Sequence, residues 1–200
     1  MQYLTDFADL AVVLPFALAV GVSLLWAGWR RGALAWATVV PATLAAVLLG
    51  KMVIAGCGDY LPFHSFYHGL KSPSGHTASA AVVYGGLLSL LLPEPRRDLR
   101  RPLAAVLLAG IFAMVVGGSR LALHLHTRSD VVAGAALGIA GAMVLARLAG
   151  PRPARLALGR PLALALLVLL LLHGRHLWAE GQIDRISHLL WPLTLCRNPR

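Results

Sequence analysis

Residues Ser119 to Ala149 read SRLALHLHTRSDVVAGAALGIAGAMVLARLA. The stretch changes character at Val131. Before it stand Arg120, His124, His126, Arg128 and Asp130; after it, Arg147 is the first charged residue. An apolar run of about 20 residues is what an α-helix needs to cross the hydrocarbon core of a bilayer. Ionisable residues at the mouth of such a run are costly beside lipid and mark a functional site.

The pattern recurs on both sides. About six segments reach membrane-spanning length: Phe7 to Trp29, Ala33 to Ala55, Pro73 to Leu92, Pro102 to Leu123, Thr127 to Ala149 and Pro161 to Leu177. The expected fold is an all-α, polytopic membrane helix bundle, forming a single domain over residues 1–200 without linkers or repeats. Gly134, Gly138 and Gly141 lie near one face of the fifth segment, which predicts close packing against the alanine- and glycine-rich third. In the tail, Ile183, Ile186, Leu190 and Leu193 recur at helical spacing. They predict an interfacial helix over 178–200, with a loose tail as the alternative.

Composition agrees. Of 200 residues, 58% are hydrophobic and 13% charged, and mean hydropathy is +0.73. A soluble domain of this length could not hide so much apolar surface, so the bilayer is the solvent and a partner of the chain. The net charge of +10 comes from basic residues in short loops. That placement sets membrane topology, and nucleic acid is excluded as a partner. Two cysteines, Cys57 and Cys196, form no Cys-x-x-Cys pair, so a structural zinc site has no support. Asp6 and Asp9, rather than Lys or Arg, precede the first apolar run, which predicts a retained helix and not a cleaved signal peptide.

Arg30 and Arg31, then Arg96, Arg97, Arg100 and Arg101, then Arg152, Arg155 and Arg160 fall on one side if the segments alternate. The positive-inside rule makes that side cytoplasmic. Lys51 and the polar blocks at Ser74 and Asp130 then share the outer face.

Two blocks carry chemistry there. In Pro73-Ser74-Gly75-His76, proline and serine suit a helix start. A helix N-terminus favours phosphate, Gly75 admits close backbone approach, and His76 can give a proton to a leaving group. In the second block, Arg120 offers a planar fork of donors to phosphate oxygens. His126 and Asp130, four apart, are expected on one helical face, with the carboxylate fixing the imidazole tautomer. His124 competes with His126 for this role, but its spacing to Asp130 is wrong for one face. Each block alone also reads as a capped helix start or a simple ion pair. His64 and His68 in the outer loop read as solvated, and Tyr60, Phe63, Phe66, Tyr67, Trp178 and Trp191 as interfacial aromatics.

Taken together, the blocks resemble the second and third signature motifs of the type 2 phosphatidic acid phosphatase superfamily. Pro73-Ser74-Gly75-His76 matches the second; Ser119-Arg120, five residues, His126, three residues, Asp130 matches the third. The resemblance covers about residues 51–130. The first motif departs: six residues after Lys51 stand Gly58-Asp59 where the family has Arg-Pro. Lys51 is the candidate for the family lysine, with Lys71 the second. The resemblance implies that His126 attacks phosphorus to form a phosphohistidine, Asp130 orients it, and His76 protonates the leaving group. Lys51, Ser74, Gly75, Ser119 and Arg120 would hold the phosphoryl oxygens. It implies no metal and no cofactor. The implied activity is a lipid phosphatase of the bacterial inner membrane, with its active site on the periplasmic face. Alternatives are a lipid phosphotransferase using the same site, a catalytically degenerate scaffold, and a transporter.

Overall fold

The computed structural model describes residues 2–57, 72–92, 100–153 and 159–175. Among them every regular element is helical. A short α1 (Gln2–Asp6) precedes α2 (Leu10–Trp26), α3 (Arg30–Cys57), α4 (Gly75–Leu91), α5 (Arg100–Ala122), α6 (Arg128–Leu148) and α7 (Gly159–Leu172). Helices α3, α5 and α6 contain stretches long and apolar enough to cross a membrane; α2 and α4 are shorter apolar helices. Leu18 and Met114, each 70% exposed, point outward from this bundle. Leaving such side chains in water would cost about 1.5–3 kcal/mol apiece relative to burying them. In lipid they cost little, and the chain is a helical membrane protein.

Helix ends follow capping chemistry rather than hydropathy. Helix α2 starts where Asp9 accepts a hydrogen bond from the Ala11 amide at 2.8 Å. It stops at Gly28, whose φ of 80° suits a residue without Cβ. There the Gly28 and Trp29 amides donate to the carbonyls of Leu25 and Leu24. The apolar run from Phe7 to Trp29 therefore overstates the helix at both ends. The last helix likewise ends at Leu172, short of Leu177, with Gly174 at φ 82°.

Helix α4 is central. A seam of Ala81, Ala105, Ala109, Ala113, Ala142 and Ala146 joins it to α5 and α6. A Cβ on Gly138 would stand 2.6 Å from the Ala78 carbonyl oxygen and 2.7 Å from the Ala81 Cβ. Only glycine permits that approach, which is the small-residue contact expected between the third and fifth segments. A larger cluster, with Leu24, Trp36, Leu90 and Leu145 at its centre, ties in α2, α3 and α7. An apolar groove of about 590 Å³ between α2 and α3 includes none of the motif residues in its lining.

The arginines of the basic loops act at one end of the bundle. Arg31 donates to the Leu148 carbonyl at 3.0 Å, Arg101 to Leu90 at 3.2 Å and to Gly150, and Arg152 to Leu91 at 2.6 Å. Trp29 donates to Ala149 at 3.1 Å, and the Arg101 guanidinium lies 5.1 Å from its ring centre. Positive groups thus satisfy the last carbonyls of α4 and α6, where the helix dipole is negative. The opposite ends of α4 and α6 are left for the two motif blocks.

Asp59, Tyr60, Phe63, His64, Phe66, Tyr67, His68, Lys71, Cys196, the tail 178–200 with Trp178 and Trp191, and the side chain of Cys57 lie outside the described residues.

Candidate active site

Helix α6 begins with a capping box. Thr127 Oγ1 accepts from the Asp130 amide at 3.2 Å, and Asp130 Oδ2 accepts from the Thr127 amide at 3.0 Å. The same Oδ2 lies 3.4 Å from His126 Nδ1. Thr127 is the N-cap, so His126 precedes the helix. The pair therefore meets through the capping turn and not across a shared helical face, which corrects the expectation from four-residue spacing. With Nδ1 turned to the carboxylate, Nε2 is the ring atom on the other side, and it is buried.

His124 is placed quite differently. It has φ 54° and is exposed. Its amide donates to Leu121, and the Leu125 amide donates to Arg120 at 3.1 Å. This pair of bonds is the terminating turn of α5, with His124 in the left-handed position usually given to glycine. That turn separates the two histidines: one closes α5, the other meets Asp130.

The first block caps α4. Ser74 is fully buried; its Oγ accepts from the Thr77 amide at 3.4 Å and lies 2.9 Å from Thr77 Oγ1. Gly75 opens the helix, and a Cβ there would meet Lys51 Cε at 3.9 Å and Val47 Cγ1 at 4.0 Å. Lys51, 9% exposed, thus lies over the first turn of α4. Arg120, 7% exposed, is in the last turn of α5. Ser119 is buried beside it, its hydroxyl donating to the Val116 carbonyl at 2.6 Å. His76 Nε2 lies 3.8 Å from Asp9 Oδ2.

The two blocks are bonded to each other across the fold, through residues as far as 58 positions apart. The Ser72 amide donates to Asp130 Oδ1 at 2.9 Å. The Ser74 amide donates to the Asp130 carbonyl at 2.9 Å. Asp130 is 1% exposed, so both contacts are shielded from water. A Cβ on Gly134 would run into the Ser74 carbonyl oxygen, so the start of α4 rests on the bare backbone of α6. Two helix N-termini, each a centre of partial positive charge, are brought side by side.

The residues matched by a known family model span 50–154, described as the PAP2 superfamily, and hold both blocks and Lys51. The chain belongs to the PAP2 superfamily. A protein of Klebsiella pneumoniae described as "Uncharacterized 22.5 kDa protein in cps region" is 31% identical over 204 residues, covering 96% of this chain and 92% of that one. No solved structure gives a significant match. Membership in the PAP2 superfamily supports a phosphatase-type activity on phosphate esters. Among the described residues, no three His, Cys, Asp or Glu side chains cluster as metal ligands would.

Two features of this PAP2 site escaped sequence reasoning. The capping box was readable as Thr127-x-x-Asp130. Asp9 gave no such signal, because the whole of α2 and α3 lies between it and His76 in the chain.

Proposed function

We propose that this protein is an integral membrane phosphatase that hydrolyses a lipid phosphate or diphosphate monoester through a phosphohistidine on His126. In this reading His126 Nε2 attacks phosphorus while Asp130 holds Nδ1 and the ring orientation. His76 protonates the departing oxygen. Lys51, Arg120 and the first amides of α4, starting at Gly75, surround the phosphoryl oxygens, whose charge grows in the transition state. Ser74 sets those amides by capping the helix, and Ser119 sits behind Arg120 with its hydroxyl tied to Val116. Water then releases phosphate from the histidine.

The observation that supports this most is the pair of bonds from the Ser72 and Ser74 amides to Asp130. They lock the acid-bearing block to the nucleophile-bearing block with a precision of the kind that catalysis requires. The apolar, outward-facing leucines around the bundle place the chain among lipids and support a lipid as substrate. The positive-inside rule favours a cytoplasmic position for the arginine-bearing end and so supports a site on the periplasmic face of a bacterial inner membrane.

The test is free-phosphate release by the purified protein in detergent. The panel is phosphatidate, phosphatidylglycerophosphate, undecaprenyl diphosphate and a lipid A phosphate. At least one should be hydrolysed, and His126→Ala should abolish that release. Full activity of His126→Ala would remove the mechanism. Phosphate passing to an added acceptor lipid instead of water would convert the reading to a phosphotransferase.

A further inference from the structure

We propose that Asp9, which lies outside the family-matched residues 50–154, is the positioning carboxylate of His76, so that the site uses two His–Asp pairs. The inference rests on the phosphatase reading above and assigns a new residue to it.

The Thr5–Asp9 turn is laid across one face of α4 and fastened there. Ser79 Oγ donates to the Ala8 carbonyl at 2.9 Å. The Tyr84 hydroxyl donates to the Phe7 carbonyl. His173 stacks on the Phe7 ring with centroids 4.0 Å apart. In a regular α-helix, residues 76 and 84 would diverge by about 80°. The π-helical segment Ala80–Gly85 absorbs one extra residue. That reduces the divergence to about 20° and puts Tyr84 on the His76 side. Asp9 Oδ1 is held by the Ala11 amide at 2.8 Å, and Oδ2 lies 3.8 Å from His76 Nε2. The Asp9 side chain is 9% exposed, so its charge is poorly screened. The carboxylate is thus anchored at one oxygen and directed at the imidazole with the other.

Its role follows from atom balance. In the first step the His126 N–P bond forms and the ester P–O bond breaks. The departing alkoxide takes a proton from the His76 imidazolium and leaves as an alcohol. In the second step water attacks phosphorus, the N–P bond breaks, and neutral His76 takes the proton from water. With Nε2 turned to Asp9, the proton moves through Nδ1. Asp9 holds the direction of the His76 ring, as Asp130 does for His126.

Asp9 also caps α2, so the test must separate cap from charge. Asparagine and serine cap as well as aspartate but carry no charge. The experiment compares wild type, Asp9→Asn and Asp9→Ser, as full-length protein in detergent, on two substrates. One is phosphatidate, whose alkoxide needs a proton to leave; the other is p-nitrophenyl phosphate, whose phenolate does not. The alkyl-to-aryl ratio of kcat should fall about tenfold or more in both variants, a share of the 10²–10⁴ that general acid catalysis contributes. The phosphatidate KM should change little. In a His76→Ala background, Asp9→Asn should lower kcat no further. An unchanged ratio, or additive losses in the double variant, overturns the proposal. His126→Ala is run alongside: if it is inactive while the ratio is unchanged, the Asp9 inference alone fails. If it is fully active, the phosphatase mechanism fails first.

Discussion

Gly134→Ala should separate the two motif blocks without touching a chemical group. The new Cβ would meet the Ser74 carbonyl oxygen, which is itself held by the Ala78 amide at 3.1 Å and cannot turn aside. Restoring ordinary contact requires the two helices to part by roughly 1 Å. The Ser72 and Ser74 bonds to Asp130 are both 2.9 Å. Such a shift stretches them past useful length. One is a neutral amide–carbonyl bond of about 1 kcal/mol; the other goes to a carboxylate, about 1.5–3 kcal/mol. Alanine returns about 1 kcal/mol of helix propensity. The net loss of stability is about 2 kcal/mol. The loss of rate should be larger, on the order of 100-fold, because misplacement of reacting groups by about 1 Å has that effect. Phosphate release and thermal inactivation in detergent measure the two separately. A Gly134→Ala protein with wild-type kcat would show that the contact between the blocks does not set the site.

Asp130→Asn keeps one acceptor oxygen for the two amides that Asp130 now serves, Ser72 and Thr127. It should lower phosphate release on the order of 100-fold or more, and phosphoenzyme trapping should show the loss in formation of the intermediate. His124→Gly should relieve the left-handed backbone at φ 54° and raise stability by about 0.5–1 kcal/mol with unchanged kcat. A large loss of kcat in that variant would return His124 to the list of catalytic candidates. Arg101→Met removes the donor to Leu90 and Gly150 and should cost about 2–4 kcal/mol, read as a lower inactivation temperature. Its kcat should persist in protein that stays folded, since the 16-residue rise of α4 puts Leu90 and Leu91 about 24 Å from the Gly75 turn.

Hydropathy located six of the helices because membrane length and apolar content are local properties. Their ends depend on a different signal. Asp9 and Gly28 delimit α2, and both residue types are ordinary cap and stop signals, yet an apolar window runs past them to Phe7 and Trp29. The contact of α4 with α6 was legible from Gly134, Gly138 and Gly141, since small residues on one face have few other uses in lipid. His126 and Asp130 were identified from their spacing, although the physical link is the Thr127 capping box and not helical periodicity. The π-helical segment of α4 leaves no periodic trace in a row of alanines and valines. The Asp9–His76 contact joins residues 67 positions apart, and no spacing rule reaches that far.

One device occurs twice in this site. Asp9 caps α2 and faces His76; Asp130 closes the box that starts α6 and faces His126. In both, a carboxylate satisfies amides at a helix N-terminus, where the dipole favours a negative charge. That bonding fixes the carboxylate before any substrate arrives, so in the proposed mechanism the histidine beside it is aimed by a group that folding has already placed. Orientation of this kind needs no reorganisation during reaction. It also couples stability to rate. Alanine at residue 9 removes a cap worth about 1 kcal/mol, and alanine at residue 130 removes the reciprocal half of the capping box, each together with the aim of the histidine. Asparagine should leave most of the cap at residue 9, but only part of it at residue 130, where two amides converge on two oxygens. The two carboxylates therefore should differ in how cleanly fold and chemistry can be separated. At Asp9, asparagine divides them; at Asp130, no single uncharged side chain does.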